Sequence, residues 1–98
     1  MPALSIPPTA PLTAAQGVLA TTFDNEVVLL NLADGVYYGL TDVGARVWHL
    51  VGRSATLESI CQTIASEYDV EASRCTRDVQ ALVQDLLRHR LVDVATTS

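Results

Sequence analysis

The chain reads as an α+β domain, a three-stranded antiparallel sheet followed by three helices. Three observations predict it. An Asp34-Gly35 pair separates two apolar runs of strand length, Val27–Leu32 and Val36–Leu40. From Val43 onward, apolar residues recur at helical spacing in three blocks. All the strand signals precede all the helix signals, which favours a sheet layered on helices over alternating βαβ units. So few strands cannot stand alone and must pack against the helices. This order of elements is winged helix-turn-helix-like.

The elements follow in chain order. All four prolines fall in the first eleven residues, and no charged residue precedes Asp24. Residues 1–16 therefore read as a flexible, proline-rich tail. Val18–Thr22 is small and β-branched and ends at Asp24-Asn25, so it reads as the first strand. Val27–Leu32, the second, is apolar on both faces, which predicts that both are covered. Asp34-Gly35 suits a type I′ turn. A two-residue loop would pair Leu32 with Tyr37 and Asn31 with Tyr38. Val36, Tyr38 and Leu40 then share one face of the third strand, with Tyr37 and Gly39 on the other.

Thr41 or Asp42 caps the first helix, because a short oxygen side chain takes an orphan N–H. Val43, Val47, Leu50 and Val51 form its apolar stripe, and Gly52 ends it. Thr56 caps the second helix, and Glu58 suits its positive end. Leu57, Ile60, Cys61, Ile64 and Tyr68 form its stripe. The third helix runs from about Ala72 to His89, with Cys75, Val79, Leu82, Val83 and Leu86 inward. Leu91–Val94 is a last short strand or an extended end. The folded domain spans 17–94, and 95–98 is a tail.

Composition narrows the function. The 98 residues are 49% hydrophobic and 17% charged, which describes one folded domain. The net charge is −5, and every base is an arginine. Residues 1–71 hold eight acids and two arginines; residues 72–98 hold three acids and four arginines. The acidity argues against nucleic acid as a partner. The arginines near the C-terminus remain available to an acidic partner. The N-terminus lacks the basic start of a secretory signal, and no apolar run reaches the ~20 residues of a membrane span. Cys61 and Cys75 form no CxxC pair and fall on apolar stripes. They read as reduced, buried thiols in a cytoplasmic protein.

No constellation of catalytic residues emerges. His49 and His89 have no metal-ligand spacing with either cysteine. A Cys–His nucleophile would need an orienting third group. Gly35, Gly39 and Gly44 do not form a phosphate loop. Gly35 reads as a turn, Gly44 as a close-packing position and Trp48 as a core aromatic. The chain is read as a non-enzyme without cofactor or metal. Its uncharged, aromatic third strand is the feature best suited to binding another chain.

The motifs resemble a known family. Val28-Leu29-Leu30-Asn31, Gly35-x-Tyr37-Tyr38-x-Leu40 and Gly44-Ala45-Arg46-x-Trp48 occur in order. They are followed by Thr56-Leu57-Glu58-Ser59-Ile60, Tyr68 and Asp78-Val79-x-x-Leu82-Val83-x-x-Leu86. This set, over residues 17–94, resembles the PqqD-like proteins, known as RiPP recognition elements. Two positions depart from the pattern. Thr41 stands where the family often has Asn, and Arg90 where it often has Gly at the end of the third helix.

The resemblance implies that the domain binds the leader segment of a ribosomally made precursor peptide. The leader would add as a strand beside the third strand, in the groove against the third helix. Val36, Tyr37, Tyr38, Gly39 and Leu40 would supply the edge, and Arg74, Arg77, Asp78, Ala81 and Asp85 the helix wall. The short, stand-alone form resembles the leader-binding proteins of lasso-peptide pathways, which act with a separate leader peptidase and a cyclase. Two alternatives remain: a peptide chaperone of the pyrroloquinoline-quinone pathway, and a small winged-helix DNA-binding regulator. For the second, the third helix offers Arg74, Arg77 and Arg88 but is interrupted by Asp78 and Asp85.

Overall fold

A computed structural model describes residues 9–95. The elements are β1 (Leu12–Ala14), β2 (Val18–Phe23), β3 (Glu26–Asn31), β4 (Val36–Thr41), α1 (Val43–Val51), α2 (Leu57–Tyr68), α3 (Ala72–Arg88) and β5 (Val92–Val94). The predicted three-stranded antiparallel sheet is present in the order β2-β3-β4, and three helices follow. Burial along β3 alternates: Val27, Leu29 and Asn31 are buried, while Val28 and Leu30 are only half covered. The core therefore lies on one face of the sheet. The expectation that both faces of this strand are covered does not hold.

The core joins Val27, Leu29 and Leu40 of the sheet to Val47, Trp48, Leu50 and Val51 of α1. Ile60 and Ile64 of α2 and Val79, Val83 and Leu86 of α3 complete it. These are the predicted helical stripes, Trp48 included. Tyr68 is the exception. It is exposed at the end of α2 rather than buried. Thr56 caps α2 as read, its hydroxyl accepting from the Ser59 N–H at 3.1 Å. Asp42 occupies the N-cap position of α1 but makes no side-chain cap. Its own N–H donates to the Asn25 carbonyl at 3.0 Å, which fixes the entry to the helix through the backbone instead. Gly52 follows α1 in right-handed conformation, and the left-handed residue of that turn is Ser54. Arg46 of α1 forks onto Glu67 of α2 at 2.9 and 2.7 Å. Cys61 and Cys75 are buried free thiols, and burial pushes both up in pKa.

The stretch before residue 17 is a second correction. Residues 1–8 lie outside the described part, but residues 12–14 are not a tail. Leu12–Ala14 pairs antiparallel with Val92–Val94, and Leu12 is fully buried. Pro11 needs no donor at this edge. Its carbonyl accepts from Ala95 N–H at 2.8 Å, while Leu12 N–H donates to the Ala55 carbonyl at 2.9 Å. One apolar anchor, with partners some eighty residues away, outweighs the local proline signal. Ala95 is thereby tied down, and 96–98 lie outside the described residues.

The β3–β4 hairpin is the third correction. Asn31 pairs with Val36 and Leu29 with Tyr38, so the loop has four residues, Leu32–Gly35. Of the two turn residues only Gly35 has positive φ, at 71°, so this is not a type I′ turn. Two side chains set the longer loop. Asn31 Oδ1 accepts from Ala33 N–H at 2.9 Å, and Asp34 Oδ1 accepts from Val36 N–H at 3.0 Å. The pairing differs from the two-residue loop by two positions, an even number. The faces are therefore as predicted, with Tyr38 and Leu40 inward.

Candidate functional site

Hydrogen-bond alternation identifies the unpaired groups of β4. In an antiparallel ladder, bonded and non-bonded pairs alternate. Asp42 N–H bonds to Asn25 at 3.0 Å, and Leu32 N–H bonds to Gly17 at 2.9 Å. Counting inward from these ends, the odd residues of β3 bond to β4 and the even ones to β2. Val36, Tyr38 and Leu40 are thus committed to the sheet. Tyr37, Gly39 and Thr41 turn their N–H and C=O groups outward along an open edge. Of the predicted edge residues, two supply free backbone groups and three hold the strand in place. Thr41 joins the free set.

Inward of this edge lies α3. The Tyr38 hydroxyl donates to the Asp85 carboxylate, 47 residues later in the chain. Burial first, and Asp85 second, push the Tyr38 phenol up to about 12. The Tyr38 ring also leans on His89, with centroids 5.3 Å apart. His89 Nδ1 lies 2.8 Å from the Asp85 carbonyl. Asn31 Nδ2 donates to the His89 carbonyl at 3.3 Å, which ties the hairpin to the end of α3. The helix end itself is closed by two backbone bonds, Leu91 N–H to Leu86 at 2.9 Å and Arg90 N–H to Leu87 at 3.0 Å. Arg90 holds the left-handed position, at φ 60°, where the family often has glycine.

One turn further along α3, Leu82 approaches α1 at Gly44. A Cβ on Gly44 would stand 3.3 Å from Leu40 Cδ2 and 3.8 Å from Leu82 Cδ2. Gly44 is the close-packing position predicted. Beyond it opens a cavity of about 460 Å³, lined by Val43, Tyr68, Val70, Val79 and Leu82, with Arg74 and Asp78 at its rim. The site residues read from the sequence therefore divide. Tyr38 and Asp85 meet. Arg74 and Asp78 reach the cavity and stand 4.0 Å from each other. Arg77 and Ala81 are exposed on α3 outside that lining. The cavity walls from Val43, Tyr68 and Val70 were not predicted. Their one signal was apolar residues at helix ends, where a stripe overruns its core. Among the described residues no group of His, Cys, Asp and Glu could hold a metal, and no helix is long and apolar enough to cross a membrane.

The model of the family described as coenzyme PQQ synthesis protein D (PqqD) matches residues 26–92. The chain belongs to the PqqD family. Two solved structures are similar to this member of it. One is TbiB1 in complex with the TbiA(beta) leader peptide, 32% identical, with a TM-score of 0.80 over 87% of this chain and 99% of that one. The other is lasso peptide synthetase B1 complexed with the leader peptide, 26% identical, with a TM-score of 0.78 over 86% and 99%. No curated protein matches the chain. The PqqD motifs quoted from the sequence now have structural roles: Asn31 fastens the hairpin, Gly44 admits Leu40 and Leu82, and Tyr38 meets α3.

Proposed function

We propose that this protein binds the leader segment of a ribosomally made precursor peptide and delivers it to modifying enzymes, without catalysis of its own. The observation that carries this reading is the open edge of β4 beside the α3 cavity. Tyr37, Gly39 and Thr41 offer backbone donors and acceptors to an added strand. No charged residue interrupts β4, and an apolar side chain of the peptide has the Val43–Leu82 cavity to enter. Both similar solved structures hold leader peptides, which supports a lasso-peptide pathway, acting in the cytoplasm with a separate leader peptidase and a cyclase. A PqqD-type chaperone of the pyrroloquinoline-quinone pathway would use the same edge, and only the peptide would differ. DNA binding is disfavoured, since Asp78 and Asp85 punctuate α3 and β4 carries no base.

Calorimetric titration tests the proposal. The precursor and its isolated leader are expected to bind with similar affinity, and the core segment not at all. Binding of the core alone would sink the reading. A leader from a pyrroloquinoline-quinone precursor that outcompetes a lasso leader would move the protein to the other pathway.

A further inference from the structure

The sheet has two edges, and the peptide site uses one. The other is β2, Val18–Phe23. Leu32 N–H bonds to the Gly17 carbonyl at 2.9 Å. Counting along the ladder from that bond, Leu19, Thr21 and Phe23 are bonded to β3. Val18, Ala20 and Thr22 turn their N–H and C=O groups outward. Ala20 and Thr22 share the core face of the sheet with Leu29 and Val27, yet both are exposed, as is every residue from Leu19 to Phe23. The helical layer therefore stops short of this strand. Natural edges are blunted by charges, prolines or bulges, because an unpaired row of backbone groups is a template for another strand. β2 has none of these. Its six residues, VLATTF, carry no charge and pair with β3 without interruption.

We propose that β2 pairs with β2 of a second copy of this chain, antiparallel across a two-fold axis at Ala20, joining the two sheets into one. Such a pair needs outward groups opposite outward groups. The register centred on Ala20 meets this at all three positions: Ala20 faces its own copy, and Val18 faces Thr22. The side chains then fit. Leu19 falls opposite Thr21, and Phe23, 48% exposed, falls opposite Gly17, which has no side chain to obstruct the ring. Charge selects the strand direction. No charged residue precedes Asp24, so in the antiparallel pair Asp24 and Glu26 of each copy run past the uncharged start of the other. A parallel pair would set Asp24 beside Asp24. The two-fold closes on itself, whereas β2 on β4 would continue head to tail into open chains. Both β4 edges stay free at the ends of the joined sheet, so the inference does not depend on the leader role. The net charge of −5 opposes association at long range, and salt should therefore strengthen the pair.

Sedimentation velocity of the full chain, over a range of concentrations and at low and moderate salt, tests the pairing. A monomer–dimer equilibrium is expected, with salt favouring the dimer. Ala20→Lys and Ala20→Glu each set like charges opposite one another across the axis and should weaken dimerisation about tenfold or more. Mixed in equal amounts, the two variants should associate again, because opposite charges then meet. Thermal unfolding checks that each is folded. Should an Ala20 variant fail to fold, Thr22→Pro removes an outward N–H that the sheet does not use and should weaken the dimer by the same route. A chain that stays monomeric at every concentration and salt overturns the inference. So does a dimer indifferent to these changes, or a failure of the mixed Ala20 variants to associate. A dimer that leader peptide dissolves would belong to the β4 edge and overturns it too. Failure of leader binding counts only against the delivery role.

Discussion

Two regions along α3 are built from opposite chemistry, the junction with β4 at the hairpin and the cavity beside α1 and α2. At the hairpin end, Tyr38, Asp85, His89 and Asn31 bridge sheet and helix with directional hydrogen bonds. At the α1 end, Val43, Tyr68, Val70 and Leu82 surround open space, and the polar groups stand at its rim. Hydrogen bonds fix a separation, because they weaken steeply with distance and angle. Apolar walls left uncovered favour whatever covers them. One region therefore fixes the spacing of β4 from α3, and the other leaves apolar surface uncovered. In this small domain, directional polar contacts and uncovered apolar walls are thus kept to separate stretches of α3.

Blocking the open edge of β4 should have the largest effect. Gly39→Pro removes an outward N–H that the sheet does not use. Backbone hydrogen bonds contribute a net ~0.5–1.5 kcal/mol each, and losing one or two costs about tenfold or more in leader affinity. Urea unfolding should change less than it does for Tyr38→Pro, which strikes a bond inside the ladder. Equal destabilisation by the two variants would show that the edge assignment is inverted.

The open end is tested by Val43→Asp. A carboxylate at the first position of α1 suits the helix but places charge in the apolar cavity. Leader affinity should fall about tenfold, the scale of a polar group buried without a partner. Near-wild-type affinity would mean that the peptide does not enter the cavity.

At the closed end, Tyr38→Phe should reverse the pattern, lowering stability by about 1 kcal/mol while leader affinity falls less than in Val43→Asp. It also has a pH signature. The folded protein holds the Tyr38 proton up to about 12, above the ordinary value of 10.0. The bond's contribution is thus whole below pH 10 and is lost as pH rises from there toward 12. The stability gap between wild type and Tyr38→Phe should shrink over that alkaline window. A gap that stays constant to pH 12 would show that folding does not raise the Tyr38 pKa.

Arg90→Gly touches only the helix end behind the Tyr38–Asp85 strut. Glycine adopts the left-handed conformation without strain, so the variant should gain ~0.5–1 kcal/mol in thermal unfolding, with leader affinity unchanged. A loss of stability would mean that the Arg90 side chain makes contacts that outweigh its backbone.

The smallest effect separates the two arginines. Arg74→Glu, at the cavity rim, should lower affinity for an acidic leader a few-fold, since exposed pairs contribute only ~0.2–1 kcal/mol. Arg77→Glu should do less, because Arg77 stands outside the cavity. An equal or larger effect of Arg77 would extend the peptide's path across the exposed side of α3.

Legibility followed the range of the interactions. The three helices, their stripes, the Thr56 cap and the sheet strands were legible because periodicity and capping act within one or two turns. The in-and-out faces of β4 survived even a wrong loop length, since the error was two residues and the pleat repeats every two. The open edge of β4 was legible only as a segment. Its free groups depend on which neighbour each amide already serves, and that required the ladder from Gly17 to Asp42.

The class of fold, the core stripes of the helices and the uncharged third strand were thus written in local pattern. The β1–β5 pairing, the four-residue hairpin loop, the Tyr38–Asp85 strut and the cavity beside Val43 came from packing in three dimensions. Each of these joins groups far apart in the chain. Leu12 is buried because Val92–Val94 closes over it, and Tyr38 meets Asp85 because α1 and α2 turn α3 back along the sheet. Local pattern encodes which face of an element is apolar. Which apolar faces stay uncovered depends on how all the elements pack.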